Sequence, residues 1–133
     1  MKTHTIPIRI YYEDTDAGGV VYHARYINFA ERARAEMLRD MGFQSSTLAR
    51  DLGMHFVVAN LEITYKKPAF LDDLLTLNTK TIETKNSSFV LNQAFFRGDE
   101  MIANINVTLV CVTTDGIKPV RIPDDLKKAL NHA

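Results

Sequence analysis

The change of apolar periodicity near residue 55 most constrains the fold of this 133-residue chain. From residue 55 to residue 114, apolar side chains recur at every second position, which is typical of β-strands with one buried face. Short turns divide this region into predicted strands at 55–67, 74–84, 88–97 and 101–114. Strands joined by short turns pair antiparallel, so the pattern argues against a doubly wound parallel sheet.

The first part of the chain adds one strand and one long helix. A strand is predicted at 6–12, with Ile8, Ile10 and Tyr12 on one face. Helical spacing predicts a long helix from about Ala24 to Gly42, whose apolar residues are Tyr26, Ile27, Ala30, Ala33, Met37 and Met41. Short helices are predicted at 45–52, capped by Ser45 or Ser46, and at 126–130. The chain is therefore predicted to be one α+β domain, residues 1–133, with a five-stranded antiparallel sheet wrapped around one long helix, as in the hotdog fold.

The predicted strand 55–67 also favours self-association. Its apolar face is predicted to contain Val57, Ala59, Leu61, Ile63 and Tyr65. One helix cannot cover both faces of a five-stranded sheet, and an uncovered apolar edge strand invites pairing with another chain.

Composition narrows the class of protein. Sixteen basic and sixteen acidic residues balance, which argues against a general nucleic-acid or anionic-membrane binder. The single cysteine, Cys111, cannot form an internal disulfide, and its apolar strand predicts a core residue. The segment 1–7 lacks the apolar core of a signal peptide, and no apolar run reaches the roughly 18 residues of a membrane span. We therefore expect a cytoplasmic protein.

The stretch from Asp14 to His23 carries the chemistry. Gly18 and Gly19 allow a tight turn and a close approach of the backbone to a ligand. The helix that follows offers unpaired N–H groups and the positive end of its dipole, which suit a developing oxyanion. Asp16 is a candidate base or nucleophile for acyl chemistry, with helix capping as the alternative. The helix dipole disfavours the cationic form of His23. Its neutral imidazole is expected either to position water or substrate, or to pack in the first turn of the helix.

The residues around this stretch resemble a known family. The run 11–26, YYEDTDAGGVVYHARY, and its continuation FAERAR at 29–34 resemble hotdog thioesterases related to 4-hydroxybenzoyl-CoA thioesterase. Among these, the chain is most similar to acyl-CoA thioesterases encoded beside the bacterial Tol-Pal envelope system. The resemblance implies that Asp16 is the catalytic carboxylate and that N–H groups around Tyr22 and His23 polarise the thioester carbonyl. It also implies a dimer in which the 55–67 strands pair across the active sites, with tetramers common in the family.

These considerations together give a set of expectations. The chain is expected to hydrolyse acyl-CoA thioesters without a metal or cofactor, with Asp16 and His23 as catalytic residues. The expected substrate contacts are Gly18, Gly19, Val20, Tyr22, Val57 and Val58. Alternatives are a thioesterase acting on acyl carrier protein, or a non-catalytic acyl-thioester binder or envelope-assembly partner.

Further residues have two interpretations each. Tyr12 and Tyr22 either line the acyl pocket or lie in the core. On the long helix, Glu31 is expected to form an ion pair within the helix, and the spacing of the charges predicts the pairs Arg32–Glu36 and Glu31–Arg34. The remaining histidines show no metal-ligand spacing. Four basic residues either contact the coenzyme A phosphates or are scattered surface charges, namely Lys66, Lys67, Lys118 and Arg121.

Overall fold

Among residues 2–132, the architecture is one antiparallel sheet with three α-helices and one 3-10 turn. The computed structural model describes residues 2–132, so the terminal residues Met1 and Ala133 of the predicted domain lie outside it. The sheet order is β1-β3-β4-β5-β2, and every adjacent pair is antiparallel, which confirms the predicted α+β hotdog architecture. The elements are β1 His4–Arg9, a 3-10 turn Tyr12–Asp14, α1 Arg25–Asp40, α2 Ser45–Leu52, β2 Met54–Tyr65, β3 Leu74–Thr84, β4 Ser88–Arg97, β5 Glu100–Thr113 and α3 Asp124–His132.

The core lies between α1 and the sheet. The Tyr26 ring meets the Phe95 ring of β4 edge-on, with centroids 5.2 Å apart. The helical pattern placed Ile27 on the buried side, but it is 37% exposed. The reason is that the buried stripe of α1 is centred on the side of the neighbouring residue Tyr26. The buried residues of α1 are Tyr26, Phe29, Ala30, Ala33, Met37 and Leu38.

A buried amide joins α1 to the middle of the sheet. Gln93 of β4 is fully buried, and its Nε2 donates to the backbone carbonyl of Ala30 at 2.9 Å and to Thr79 Oγ1 at 3.1 Å. Its Oε1 accepts a hydrogen bond from Arg34 at 3.0 Å. A buried polar side chain whose hydrogen bonds are all satisfied fixes the relative position of the elements that it joins.

The first strand ends earlier than its sequence pattern predicts. β1 stops at Arg9, although Ile10 remains fully buried and exchanges backbone hydrogen bonds with Asp72 and Asp73. The backbone then turns into the 3-10 segment, so Tyr12 is 81% exposed and does not continue the buried face. The prediction that Tyr12 faces inward with Ile8 and Ile10 is therefore wrong.

β2 forms one edge of the sheet and contains a bulge. Its register with β5 shifts between Val58 and Asn60, so Ala59 is an extra residue. A one-residue shift exchanges the two faces of a strand. Phe56 packs against the core before the bulge, as do Leu61 and Ile63 after it. The single predicted face is therefore correct after the bulge and wrong for Val57 and Ala59.

The predicted end of α1 at Gly42 is confirmed, whereas the cap of α2 and the ion pairs of α1 differ from expectation. Gly42 and Gly53 follow α1 and α2 with positive φ angles of 94° and 61°, as helix-ending glycines do. The residue that precedes α2 is Gln44, so the predicted serine caps are wrong. Glu36 pairs with Arg39, while Glu31 forms none of the ion pairs found among residues 2–132.

None of the helices described within residues 2–132 has the length and apolar character of a membrane span.

Candidate active site

A three-residue hairpin loop presents Asp16. Thr15 and Val21 form an isolated antiparallel bridge, and the Asp16 N–H donates to the Val20 carbonyl at 2.9 Å. The N–H of Gly19 closes the turn onto the Asp16 carbonyl at 3.0 Å. Gly19 has a φ of +83°, the left-handed conformation that follows a type I turn in hairpins of this length. A glycine at position 19 is therefore required by the geometry of the loop.

The Asp16 carboxylate is held by the loop and remains exposed. Its Oδ1 accepts hydrogen bonds from the N–H of Gly18 at 2.9 Å and, more weakly, of Val20 at 3.4 Å. A side chain on Gly18 would place a Cβ 3.2 Å from the same oxygen, closer than most real contacts. The second oxygen, Oδ2, takes part in neither bond. Asp16 thus caps its own loop rather than α1, whose N-cap is Ala24 with no side-chain hydrogen bond.

Asp14, two residues earlier, is the buried carboxylate of this region. Its Oδ1 accepts hydrogen bonds from Arg25 Nε at 3.0 Å and Nη2 at 2.6 Å. Its Oδ2 accepts the Tyr11 N–H at 2.8 Å, and the residue is only 4% exposed. Asp14 is therefore a hydrogen-bonded residue of the loop and is not solvated. Arg25, eleven residues away, was the signal that could have indicated this burial.

The His23 N–H is a free backbone donor at the start of α1, near the loop. The Tyr22 N–H donates to the Asp14 carbonyl at 2.9 Å, so it is not available to a ligand in this conformation. The His23 N–H takes part in none of the turn, cap or side-chain hydrogen bonds found within residues 2–132. Of the Tyr22 and His23 N–H groups, which were both expected to act as oxyanion donors, only that of His23 is therefore free, and it lies at the positive end of the helix dipole.

The His23 side chain lies in an exposed aromatic group. Its ring centroid is 4.5 Å from that of Tyr22 and 6.4 Å from that of Tyr65 on β2. The Tyr65 hydroxyl donates to the His23 carbonyl at 2.8 Å, so β2 fixes the backbone at the helix start. Sequence reasoning treated Tyr65 as a strand residue only and missed this contact.

A cavity of about 290 Å³ opens at this point; we term it the helix-start cavity. Its wall includes the expected contact Val20 and the neighbours of the loop on α1 and β2, namely His23, Tyr26, Tyr65, Lys66 and Lys67. Burial raises the pKa of Tyr26 and of Tyr65, so both remain neutral hydrogen-bonding groups. Lys67 is partly engaged, since its Nζ lies 2.6 Å from Glu100 Oε2.

A second cavity, of about 390 Å³, lies between α1, α2 and β2; we term it the α1–β2 cavity. Val58 lines it, whereas Val57 points to the opposite face of the strand. The structure therefore separates these two expected contacts. His55, Glu31 and Arg34 also line this cavity.

The other candidate residues lie apart from the loop. Tyr12 and Tyr22 are 81% and 46% exposed, so neither is a core residue. Lys118 and Arg121 follow β5, near the end of β2 that is opposite Lys66. Cys111 is fully buried, which raises the pKa of its thiol to about 11 and confirms it as a core residue. Within residues 2–132, no group of three or more His, Cys, Asp or Glu side chains could hold a metal ion.

Comparison with known proteins identifies the family. Residues 11–130 match the Thioesterase-like superfamily. The chain belongs to this superfamily. It is 44% identical over 128 residues to the acyl-CoA thioesterase YbgC of Haemophilus influenzae, which covers 96% of this chain and 94% of that protein. It is 41% identical over 121 residues to the acyl-CoA thioester hydrolase YbgC of Escherichia coli O157:H7, with 90% of each chain covered.

Solved structures agree with this assignment to the Thioesterase-like superfamily. The crystal structure of a probable thioesterase from Bartonella henselae superposes with a TM-score of 0.88 at 38% identity. The match covers 92% of this chain and 100% of the B. henselae chain.

Proposed function

We propose that this chain hydrolyses acyl-CoA thioesters to a free acid and coenzyme A. The observation that carries the proposal is the exposed Asp16 carboxylate, held through one oxygen by a loop that leads directly into the free N–H of His23 at a helix start. A carboxylate and an N–H donor seven positions apart in the sequence supply the two groups that thioester cleavage needs. The names of the relatives from H. influenzae and E. coli support the substrate class.

In the proposed reaction, the thioester carbonyl oxygen accepts a hydrogen bond from the His23 N–H. Negative charge that develops on this oxygen is stabilised by that donor and by the positive end of α1. Asp16 Oδ2, the oxygen outside the loop bonds, then acts in one of two ways.

As a general base, Asp16 removes a proton from water while the water oxygen bonds to the carbonyl carbon. The carbon–sulfur bond breaks, and the proton passes to the coenzyme A thiolate. As a nucleophile, Asp16 forms an acyl anhydride and releases the thiolate, and water then cleaves the anhydride to regenerate the carboxylate. Both routes consume one water and yield one acid and one thiol. Neither route requires a metal or a cofactor.

An assay of free-thiol release over a panel of acyl-CoA and acyl-carrier-protein thioesters tests the proposal. Because Cys111 is buried, it should add little to the thiol signal of the native protein. Hydrolysis of the carrier-protein substrates alone would indicate the carrier-protein thioesterase. Calorimetric binding of acyl-CoA without hydrolysis of either class would indicate a non-catalytic binder.

Removing the His23 imidazole should lower turnover without unfolding the protein. The ring is exposed and contacts Tyr22 and Tyr65, while the proposed oxyanion donor is the backbone N–H, which alanine retains. If the imidazole positions water or substrate, His23→Ala should reduce kcat by roughly 10²-fold, the lower end of a proton-transfer contribution. The matched control is His132→Ala, which removes an exposed imidazole from α3. Full activity of His23→Ala with only a lower melting temperature would show that the ring has a packing role.

The edge position of β2 leads to a prediction of self-association. β2 contributes twelve residues to the open edge of the sheet, and Val58 and Tyr65 on it are 47% and 45% exposed. A long open edge with exposed apolar side chains pairs readily with a second copy. We expect light scattering to give the mass of a dimer or a tetramer. A stable, fully active monomer at micromolar concentration would contradict this expectation.

A further inference from the structure

The peptide group that carries the free His23 N–H lies between anchored neighbours. Its own carbonyl, that of Tyr22, accepts a hydrogen bond from the Arg25 N–H at 2.9 Å. On the N-terminal side, the Tyr22 N–H donates to the Asp14 carbonyl at 2.9 Å. On the C-terminal side, the His23 carbonyl accepts the Tyr65 hydroxyl at 2.8 Å. The direction in which the free N–H points therefore depends on these three contacts.

The Tyr65 hydroxyl takes the place of a helix hydrogen bond at the His23 carbonyl. In a regular α-helix, this carbonyl would accept the N–H of the residue four positions later, which is Ile27. The Ile27 N–H donates instead to the Ala24 carbonyl at 3.2 Å, because α1 begins only at Arg25. The last turn of the chain before the helix is thus tied to β2 by a side chain.

The sheet holds the Tyr65 hydroxyl in place, although the residue is 45% exposed. Tyr65 is the last residue of β2, and its backbone pairs with Ala103 of β5. Its ring meets the buried Tyr26 ring edge-on, with centroids 5.6 Å apart, and Tyr26 packs in turn against Phe95. Burial raises the pKa of Tyr65, so the hydroxyl keeps its proton at neutral pH and can donate it to the carbonyl.

The orientation of the His23 N–H matters because hydrogen bonds are directional. They weaken steeply when the angle at the hydrogen falls below about 120°. A donor that stabilises an oxyanion must also point to the place where the negative charge develops. Gln93 fixes α1 as a body through the Ala30 carbonyl, two turns along the helix, whereas Tyr65 acts directly beside the donor.

We propose that Tyr65 is a positioning residue whose hydroxyl holds the His23 N–H in the orientation in which it binds the thioester oxygen. This inference rests on the proposed thioester hydrolysis and adds a residue of β2 to the machinery of the loop. The effect of Tyr65 on the rate passes through the His23 backbone. Because the N–H binds the oxyanion of the transition state more strongly than the neutral carbonyl of the substrate, lost alignment lowers kcat more than it raises KM.

The test compares the wild type with Tyr65→Phe, which removes the hydroxyl and keeps the ring that packs against Tyr26. The matched control is Tyr11→Phe, which makes the same exchange at a tyrosine that is 60% exposed. Free-thiol release from acyl-CoA thioesters gives kcat and KM, and the melting temperature is recorded for each protein.

We expect Tyr65→Phe to lower kcat by about three- to tenfold, the effect that one neutral hydrogen bond allows, and to change KM by less than about twofold. Tyr11→Phe should match the wild type in both constants. A kcat of Tyr65→Phe within about twofold of the wild type would overturn the inference, whatever its melting temperature. A loss confined to KM would also overturn it, since it would show that Tyr65 contributes to substrate affinity instead of alignment.

A measurement of backbone order separates this inference from the proposed function. Nitrogen-15 relaxation gives the order parameter of the His23 N–H and, as an internal reference, of the Asp16 N–H, which is bonded within the loop. In Tyr65→Phe the value for His23 should fall from that of rigid backbone, about 0.85, while the value for Asp16 stays unchanged. Both values should be unchanged in Tyr11→Phe.

The two failures are then distinguishable. If the wild type hydrolyses no acyl thioester, the proposed function fails, and the order parameter alone decides whether Tyr65 holds the His23 N–H. A lower value in Tyr65→Phe would then support the inference, and an unchanged value would refute it.

Discussion

Asp16→Asn should lower the turnover of acyl-CoA hydrolysis by at least about 10²-fold while leaving the fold and substrate affinity nearly unchanged. Asparagine keeps a side-chain oxygen that can accept the Gly18 and Val20 N–H groups, so the loop retains its hydrogen bonds. Asn and Asp perform alike in such capping roles, and the position is exposed, so the free energy of unfolding should change by less than about 1 kcal/mol. The amide is neither basic nor appreciably nucleophilic, so both proposed routes fail.

The measurement combines free-thiol release with calorimetric binding at equal concentrations of folded protein. Because Asp16 is proposed to act on the reacting carbon or on water, the loss should appear in kcat rather than in binding. Hydrolysis by the variant at close to the wild-type rate would remove Asp16 from the mechanism.

Asp14→Asn makes the same chemical exchange two residues away and should have the opposite outcome. Asp14 is buried, and both of its carboxylate oxygens accept hydrogen bonds, one from Arg25 and one from the Tyr11 N–H. The amide NH2 group would face one of these donors and weaken the ion pair with Arg25. Since hydrogen bonds to charged groups contribute roughly 1.5–3 kcal/mol, we expect a loss of about 2–3 kcal/mol in the free energy of unfolding.

Denaturant unfolding of both Asn variants beside the wild type checks this prediction. At a temperature where each protein is folded, Asp14→Asn should retain much more activity than Asp16→Asn, because Asp14 is buried against protein groups. The pair of variants thus separates a stabilising carboxylate from a reactive one. Equal stability of the two variants would show that the Asp14 contacts contribute little.

Local patterns predicted most of the architecture. The number of strands, their order along the chain and the long helix follow from periodicity, and the structure confirms them. The errors occur where a long-range feature overrides the local pattern. The bulge at Ala59 follows from the pairing of β2 with β5, and the turn after Ile10 follows from contacts with the β2–β3 loop. In both cases the partner segment is distant in sequence, so a pattern taken from neighbouring residues does not include it.

The candidate site was predicted in composition but not in detail. The loop with Asp16 and its glycines is where the sequence placed it, because turn chemistry is local. The burial of Asp14, the use of the Tyr22 N–H and the contact of Tyr65 with His23 each depend on residues at least eight positions away. Such contacts are set by the packing of loop, helix and strand, and no pattern of residue types in the loop indicates them.

The buried Gln93 amide has a consequence for substitutions that lie far from the reacting groups. An apolar helix–sheet interface alone would tolerate small slides and rotations of α1, since its contacts are non-directional. The directional bonds from Gln93 to the Ala30 carbonyl and from Arg34 to Gln93 hold the helix in one setting. In the proposed reaction, the alignment of the His23 N–H with the thioester is therefore set from the centre of the sheet. Changes at Gln93 should impair catalysis as an error of alignment, although its side chain lies two turns of helix from the reaction.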